Sequence, residues 1–197
     1  MLSIIIPLKN EEEAIKSTVE KIIYQLHNIK YEIILIDDFS EDRTSAIAEK
    51  YSKENTSIKF FKNEKKGLGP LINLGVEKSS GSYIAIMMAD LSDDIEDLKK
   101  YYEIINESNY DAILGTRFSN DSKLENYPLT KLILNRLFNY FVKVIFLSDY
   151  NDFTNAFKIY KKTTLIKLRP FVSESFNIFL ELPLKIISRK YEYKIIP

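Results

Sequence analysis

The chain has 197 residues, a formal net charge of zero, 45% hydrophobic and 28% charged residues, no cysteine and one histidine, His27. That length suits a single domain with a full core. The missing cysteines exclude disulfides and thiolate chemistry, the lone histidine makes a hydrolytic triad a poor candidate, and the neutral balance argues against nucleic acid as a partner.

Residues 2–7 are an apolar run that reads as a buried first strand rather than as a secretory leader. Asn10 is then expected to cap a helix whose first turn holds Glu11, Glu12 and Glu13, with Ile15, Val19, Ile22, Ile23 and Leu26 on its apolar face. Residues 31–36 give a second strand ending in Asp37 and Asp38, and Ser40 is expected to cap a helix reaching Glu54. Residues 57–61 give a third strand, and residues 67–79 a loop running into a helix. A fourth strand over 83–88 ends at Ala89 and Asp90; Asp93 and Asp94 stand where a helix over 95–107 needs caps, and 110–114 is a fifth strand.

The second half is less regular. Residues 129–147 predict a strongly apolar helix with a narrow polar stripe of Lys131, Asn135, Asn139 and Lys143. Two readings stand: a helix sunk in the core or a dimer interface, or a helix lying on a membrane surface with its basic groups at the headgroups. Residues 153–160 read as a strand, 173–189 as a helix interrupted near Pro183, and 191–196 as a closing strand. No window supplies the ~20 uncharged apolar residues of a membrane span. Strands alternating with helices predict one α/β domain over 1–197, with a mostly parallel central sheet covered by helices on both faces.

Ligands of such sheets bind beyond the carboxyl ends of the strands. The chemistry-bearing residues fall there: Asn10 and Glu11, Asp37 and Asp38, Asp90, and Arg117. Asp90 suits a divalent cation with oxygen ligands, Mg2+ or Mn2+, able to neutralise a diphosphate leaving group. Asp37 and Asp38 offer acceptors for ribose hydroxyls or a base N–H. Lys66 and Gly67 allow a close backbone approach to phosphate, and Arg117 offers a planar fork for it. Each residue type also has a structural use, as helix cap or surface ion pair.

Several segments resemble the family 2 glycosyltransferases of the GT-A fold, which is Rossmann-like. Ser3-Ile4-Ile5-Ile6-Pro7-Leu8-Lys9-Asn10-Glu11-Glu12 is similar to that family's opening, and Ile36-Asp37-Asp38-Phe39-Ser40 to its nucleotide-binding strand end. Ala89-Asp90-Leu91-Ser92 resembles its metal motif. Gly115-Thr116-Arg117-Phe118, residues 152–160 and residues 176–181 resemble the branch that transfers sugars to dolichyl or polyprenyl phosphate.

The resemblance implies an inverting transferase using a nucleotide-sugar donor, at the cytoplasmic face of a membrane. Residues 1–117 would form the donor half and 118–197 the acceptor half. Pro7, Leu8, Asn10, Glu11, Asp37, Asp38, Lys66, Gly67, Ala89, Asp90 and Ser92 would line the donor site, with Asp90 on the metal. Arg117, Asp152 and Glu181 would serve catalysis, Asp152 first and Glu181 second as base if the acceptor is a saccharide hydroxyl. A polyprenyl phosphate needs no base. Two departures stand out: Met88 replaces a usual aspartate, and members of the branch generally continue past the position of Pro197 with basic residues. The rival readings are a non-catalytic nucleotide-sugar-binding or scaffold protein and, more remotely, a nucleotidyltransferase.

Overall fold

The computed structural model describes residues 1–90, 93–119 and 128–197. In chain order the elements are β1 (Leu2–Leu8), α1 (Ile15–Gln25), β2 (Tyr31–Asp37), α2 (Thr44–Glu54), β3 (Ile58–Lys62), α3 (Leu68–Lys78), β4 (Tyr83–Ile86), α4 (Ile95–Glu107), β5 (Ala112–Gly115), α5 (Leu129–Ile145), β6 (Lys158–Lys161), α6 (Lys162–Lys167), α7 (Ile178–Ser188) and β7 (Tyr193–Ile196). They build one sheet in the order β3-β2-β1-β4-β6-β5-β7. Among the described residues only β6 runs against its neighbours, pairing antiparallel with both β4 and β5. The other strands share one direction, so β1, β2, β4 and β5 all end at the same edge.

Alternation along β1 sorts the two faces. Leu2, Ile4, Ile6 and Leu8 pack with Ile15, Val19 and Ile22 of α1 and Leu98 and Ile105 of α4. Ile5 points the other way, into a cluster with Leu71, Ile72 and Val76 of α3 and Leu182 and Ile186 of α7. Each of these fully buried aliphatics contributes on the order of 1.5–3 kcal/mol. A one-residue slip of β1 would turn both sets onto the wrong face, which is why the register is firm.

Helix and strand ends depart from expectation where long-range contacts replace local caps. Asn10 does not cap α1, which starts five residues later with no acidic residue in its first turn. Asn10 instead takes a left-handed φ of 55°. Its side-chain carbonyl accepts from the Glu41 N–H, and its own N–H donates to the Ser40 hydroxyl. Ser40 is therefore a cross-loop partner rather than the cap of α2, which begins at Thr44 beside the Asp42 carboxylate. Asp94 caps α4 by accepting from the Glu96 N–H. Asp93 does not cap it and turns back to accept from the Met88 N–H. The strand expected from 153 begins only at Lys158. Pro183 sits inside α7 without breaking it.

The core reading of α5 is overturned. Of its seventeen residues only Asn139 and Val142 are buried. Leu134, Leu137, Phe141 and Ile145 all face outward. Among the described residues no helix is long and apolar enough to cross a membrane.

Glu181 of α7 ties down the segment before it. Its carboxylate accepts from the Val172 and Ser173 N–H groups and pairs with Lys185 at 2.6 Å. The same segment presses its backbone on α3: a side chain at Gly69 would run into the Ser173 carbonyl oxygen. Burial works to raise the Glu181 carboxyl, but hydrogen bonds from Lys185, Ser173 and Val172 prevail and hold it at about 2. Glu181→Gln should lower stability by roughly 1 kcal/mol at neutral pH, because one of the part-buried donors is left unmatched. The pKa is depressed, so this stabilisation is present above the ordinary value of 4.5 and lost as pH falls through about 2. Thermal melts of parent and variant should converge over that window.

Candidate functional site

The carboxyl ends of β2, β1 and β4 lie side by side. The loops that follow are knitted together. The Glu11 N–H donates to the Thr44 hydroxyl at 2.7 Å, and Arg43 pairs with Glu12 at 3.1 Å. The Asp38 N–H donates to the Leu8 carbonyl, while the Thr18 hydroxyl donates to the Ala89 carbonyl.

Asp38 is the best-supported acceptor of this edge. It is buried, and its carboxylate accepts from the Asn63 side chain at 2.7 Å and from the Gly67 N–H at 2.9 Å. That bond fixes the loop carrying Lys66, which is exposed. Gly67 has a φ of 122°, a backbone shape that a side chain would strain. Asp37 is used differently: it accepts from the Ser40 N–H and the Ser45 hydroxyl and so builds the turn itself. Leu8 and Ala89 turn out to be core side chains. Pro7 is buried in β1, opposite Ile36. Those three offer a ligand at most their backbone. Ser92 lies outside the described residues.

Asp90 stands exposed where β4 gives out. Its charge is felt by two neighbours. Glu11 is raised above the usual carboxylate range by burial, then by Asp90 and Asp42. Asp93 is pushed up to about 6, by burial first and by Asp90 in addition, against the pull of the Met88 N–H. Among the described residues no three carboxylates or imidazoles form a closed metal site. The arrangement fits a cation of another kind. Mg2+ and Mn2+ commonly take one or two carboxylates and complete their shell with substrate phosphates and water, and a cation here would relieve the crowding of Asp90, Asp93 and Glu11.

Beyond β5 the same edge turns basic. Asp152 is fully buried, and the Arg117 guanidinium grips it with Nε at 2.9 Å and Nη2 at 2.7 Å. The Arg117 N–H donates to the same carboxylate at 2.8 Å, so Asp152 sets both the backbone and the side chain of Arg117. Both oxygens of Asp152 are thus engaged, which makes it an orienting group rather than a base. Glu181, held at about 2, is equally unsuited to take a proton at neutral pH.

Four residues here are not among the expected site residues, although Phe39 and Thr154 fall inside motifs quoted above. Asn63 reaches Asp38 from the end of β3. Arg136 of α5 stacks on the Phe118 ring at 5.4 Å, the same distance as Arg117, so two guanidiniums share one ring. Thr154 links the Arg117 guanidinium to Asn135 and Asn139 of α5. Phe39, beside Asp38, holds a left-handed φ of 61° and is exposed. A bulky residue rarely adopts that shape, and such strain tends to gather at functional loops.

Comparison with known proteins agrees with this fold. The dolichol-phosphate mannosyltransferase of Pyrococcus furiosus is 30% identical over 135 residues, which is 68% of this chain and 38% of that protein. The glycosyltransferase AglD of Haloferax volcanii is 25% identical over 179 residues, 88% of this chain and 28% of its own length. The chain thus spans less than half the length of both curated relatives. The crystal structure of glucosyl-3-phosphoglycerate synthase from Mycobacterium tuberculosis, in complex with Mn2+, uridine diphosphate and glucosyl-3-phosphoglycerate, superposes with a TM-score of 0.76 at 14% identity. It covers 99% of this chain and 69% of that one, which speaks for the fold. The sequence model described as Glycosyl transferase family 2 matches residues 3–169, from the first strand to the end of α6, and with most of its length inside that match this chain belongs to glycosyl transferase family 2.

Proposed function

We propose that this chain transfers a sugar from a nucleotide-diphosphate donor to a polyprenyl phosphate, with inversion at the anomeric carbon. The observation that carries the reading is the juxtaposition, on one sheet edge, of an acidic donor side and a basic acceptor side. Asp38, Glu11 and the backbone around Pro7 and Gly67 receive the nucleoside. Asp90, with Asp93 near it, would hold Mg2+ or Mn2+, which when bound would neutralise the charge gathering on the departing diphosphate.

Arg117 receives the acceptor phosphate, and Arg136 adds a second cation across the Phe118 ring. The second ionisation of a phosphate monoester lies near ~6, so such an acceptor is already a dianionic nucleophile at neutral pH. No side chain must take a proton. That matches the engagement of Asp152 with Arg117 and of Glu181 with backbone N–H groups. Orientation and charge then supply the catalysis.

The outer face of α5 supports a lipid-bound acceptor. Its polar Asn139 is buried while Leu134, Leu137, Tyr140 and Phe141 are exposed, the inverse of a helix adapted to water. Lys131, Arg136 and Lys143 lie on the same helix and suit anionic headgroups. We place α5 on the membrane surface, with Arg117 behind it at the level of the lipid phosphates.

Three measurements bear on this. Asp90→Ala should cut metal-dependent turnover by roughly a hundredfold or more, and full turnover in that variant would reject the metal assignment. Arg136→Ala should raise the KM for the lipid phosphate and leave the donor KM unchanged; a change confined to the donor would reverse the assignment of sides. The double variant Leu137→Glu/Phe141→Glu should lose sedimentation with anionic vesicles, by roughly tenfold for each side chain. Its thermal midpoint should hardly move, since both positions already face solvent. Unchanged vesicle binding would remove α5 from the membrane.

A further inference from the structure

Lys158 opens β6 and is 1% exposed, one of the largest fully buried side chains of the chain. Its ammonium donates to the Phe153 carbonyl at 3.3 Å and to the Asn155 carbonyl, and lies 5.8 Å from the centre of the Tyr150 ring. Residues 151–157 therefore wind around one buried cation. The same turn carries Asp152. The Asn155 N–H donates to the Asp152 carbonyl, and the Asn155 side chain donates to the Gly115 carbonyl, two residues before Arg117.

An unneeded buried charge is expensive, and a methionine of similar volume would fill this space without the expense. Burial indeed draws the lysine down to about 7, with Asp152 and Asp93 opposing that drop and Arg117 adding to it. Charged or neutral, the amino group donates to the Phe153 and Asn155 carbonyls at the point where the Asp152 turn is wound. A carbonyl that accepts from an ammonium is held more firmly than one left to a neutral partner.

We propose that Lys158 is a positioning residue for the anion site: through the 151–157 turn and Asp152 it holds the Arg117 guanidinium in place at the sheet edge. The inference rests on the reading of Arg117 as the acceptor-phosphate group. It concerns a residue that touches neither substrate.

The test is nitrogen-detected NMR on the full chain, with kinetics beside it. In the unaltered protein, held about one pH unit below 7 so that the amino group is charged, the Lys158 ammonium should exchange slowly and correlate with the Phe153 and Asn155 carbonyl carbons. In Lys158→Met the Arg117 Nε–H should exchange at least tenfold faster. The KM for polyprenyl phosphate should rise, up to about a hundredfold for a misplacement near 1 Å, while the donor KM stays put. A purely structural role would lower the thermal midpoint and leave the Arg117 signal and the KM split unaltered, and that result overturns the proposal. If Lys158→Met does not fold, the unaltered protein decides alone: a Lys158 ammonium exchanging as fast as a surface lysine overturns it. Transfer failing in the unaltered protein, with the Arg117 signal responding as described, would overturn the transfer reading while supporting this one.

Discussion

Strands that run in one direction must finish on one edge, and here they bring like charges together. Glu11 follows β1, Asp38 follows β2 and Asp90 follows β4, on three adjacent strands. Burial raises both Glu11 and Asp93, and the charge of Asp90 adds to the rise in each case. A fold that only needed stability would replace such residues, since carboxylates held together in partial burial oppose folding. Their neighbours are arranged to hold them rather than to cancel them. Asn63 and the Gly67 N–H orient Asp38 without neutralising it, and the Met88 N–H does the same for Asp93. On the proposed reading a cation carrying a diphosphate, which has the opposite sign to these carboxylates, is what the edge receives.

The basic end of the edge follows the opposite logic. Arg117 is gripped by a buried carboxylate through Nε and Nη2, and Lys158 lies beneath the turn that carries that carboxylate. Buried ion pairs are poor stabilisers in general because desolvation offsets much of their attraction. What such a pair does well is fix a guanidinium plane, and a bidentate grip on Nε and Nη2 leaves that plane little freedom. Asp152 and Lys158 thus act on Arg117 in sequence, one by direct contact and the other through the backbone.

How far the sequence spoke for itself follows from the range of the forces involved. Strand alternation and helix spacing are local, and they marked nearly every element, because an apolar run such as Leu2–Leu8 has one sensible fate. Local pattern makes Asn10 and Ser40 look like caps, but each has its partner in the other's loop, about thirty residues away, which no local pattern records. The late start of β6 has the same origin: residues 153–157 have strand-like composition but wrap Lys158 instead. The strand-end carboxylates were legible as a set, yet their division of labour was not. Asp37 differs from Asp38, and Leu8 from Glu11, only through side-chain direction and long-range bonds. Arg136 stood one position off the polar stripe through Asn135 and Asn139, and its relevance depends on a ring, Phe118, far away in the chain.

α5 shows why the acceptor side should be considered as one unit with its surroundings. A helix in water turns its polar side outward; this one turns Asn139 inward, where its side chain accepts from the Phe153 N–H and donates to Thr154. Those bonds join α5 to the very turn that carries Asp152. An apolar outer face gains only when something apolar covers it, at about 25 cal/mol per Å². On the proposed reading a membrane provides that cover. Whatever seats α5 on the lipid then also seats Arg117, so the phosphate of an acceptor anchored in the same bilayer meets a guanidinium whose height above the lipid is set by the helix that reads the surface. On that reading a water-soluble acceptor would have no use for the coupling between α5 and Arg117.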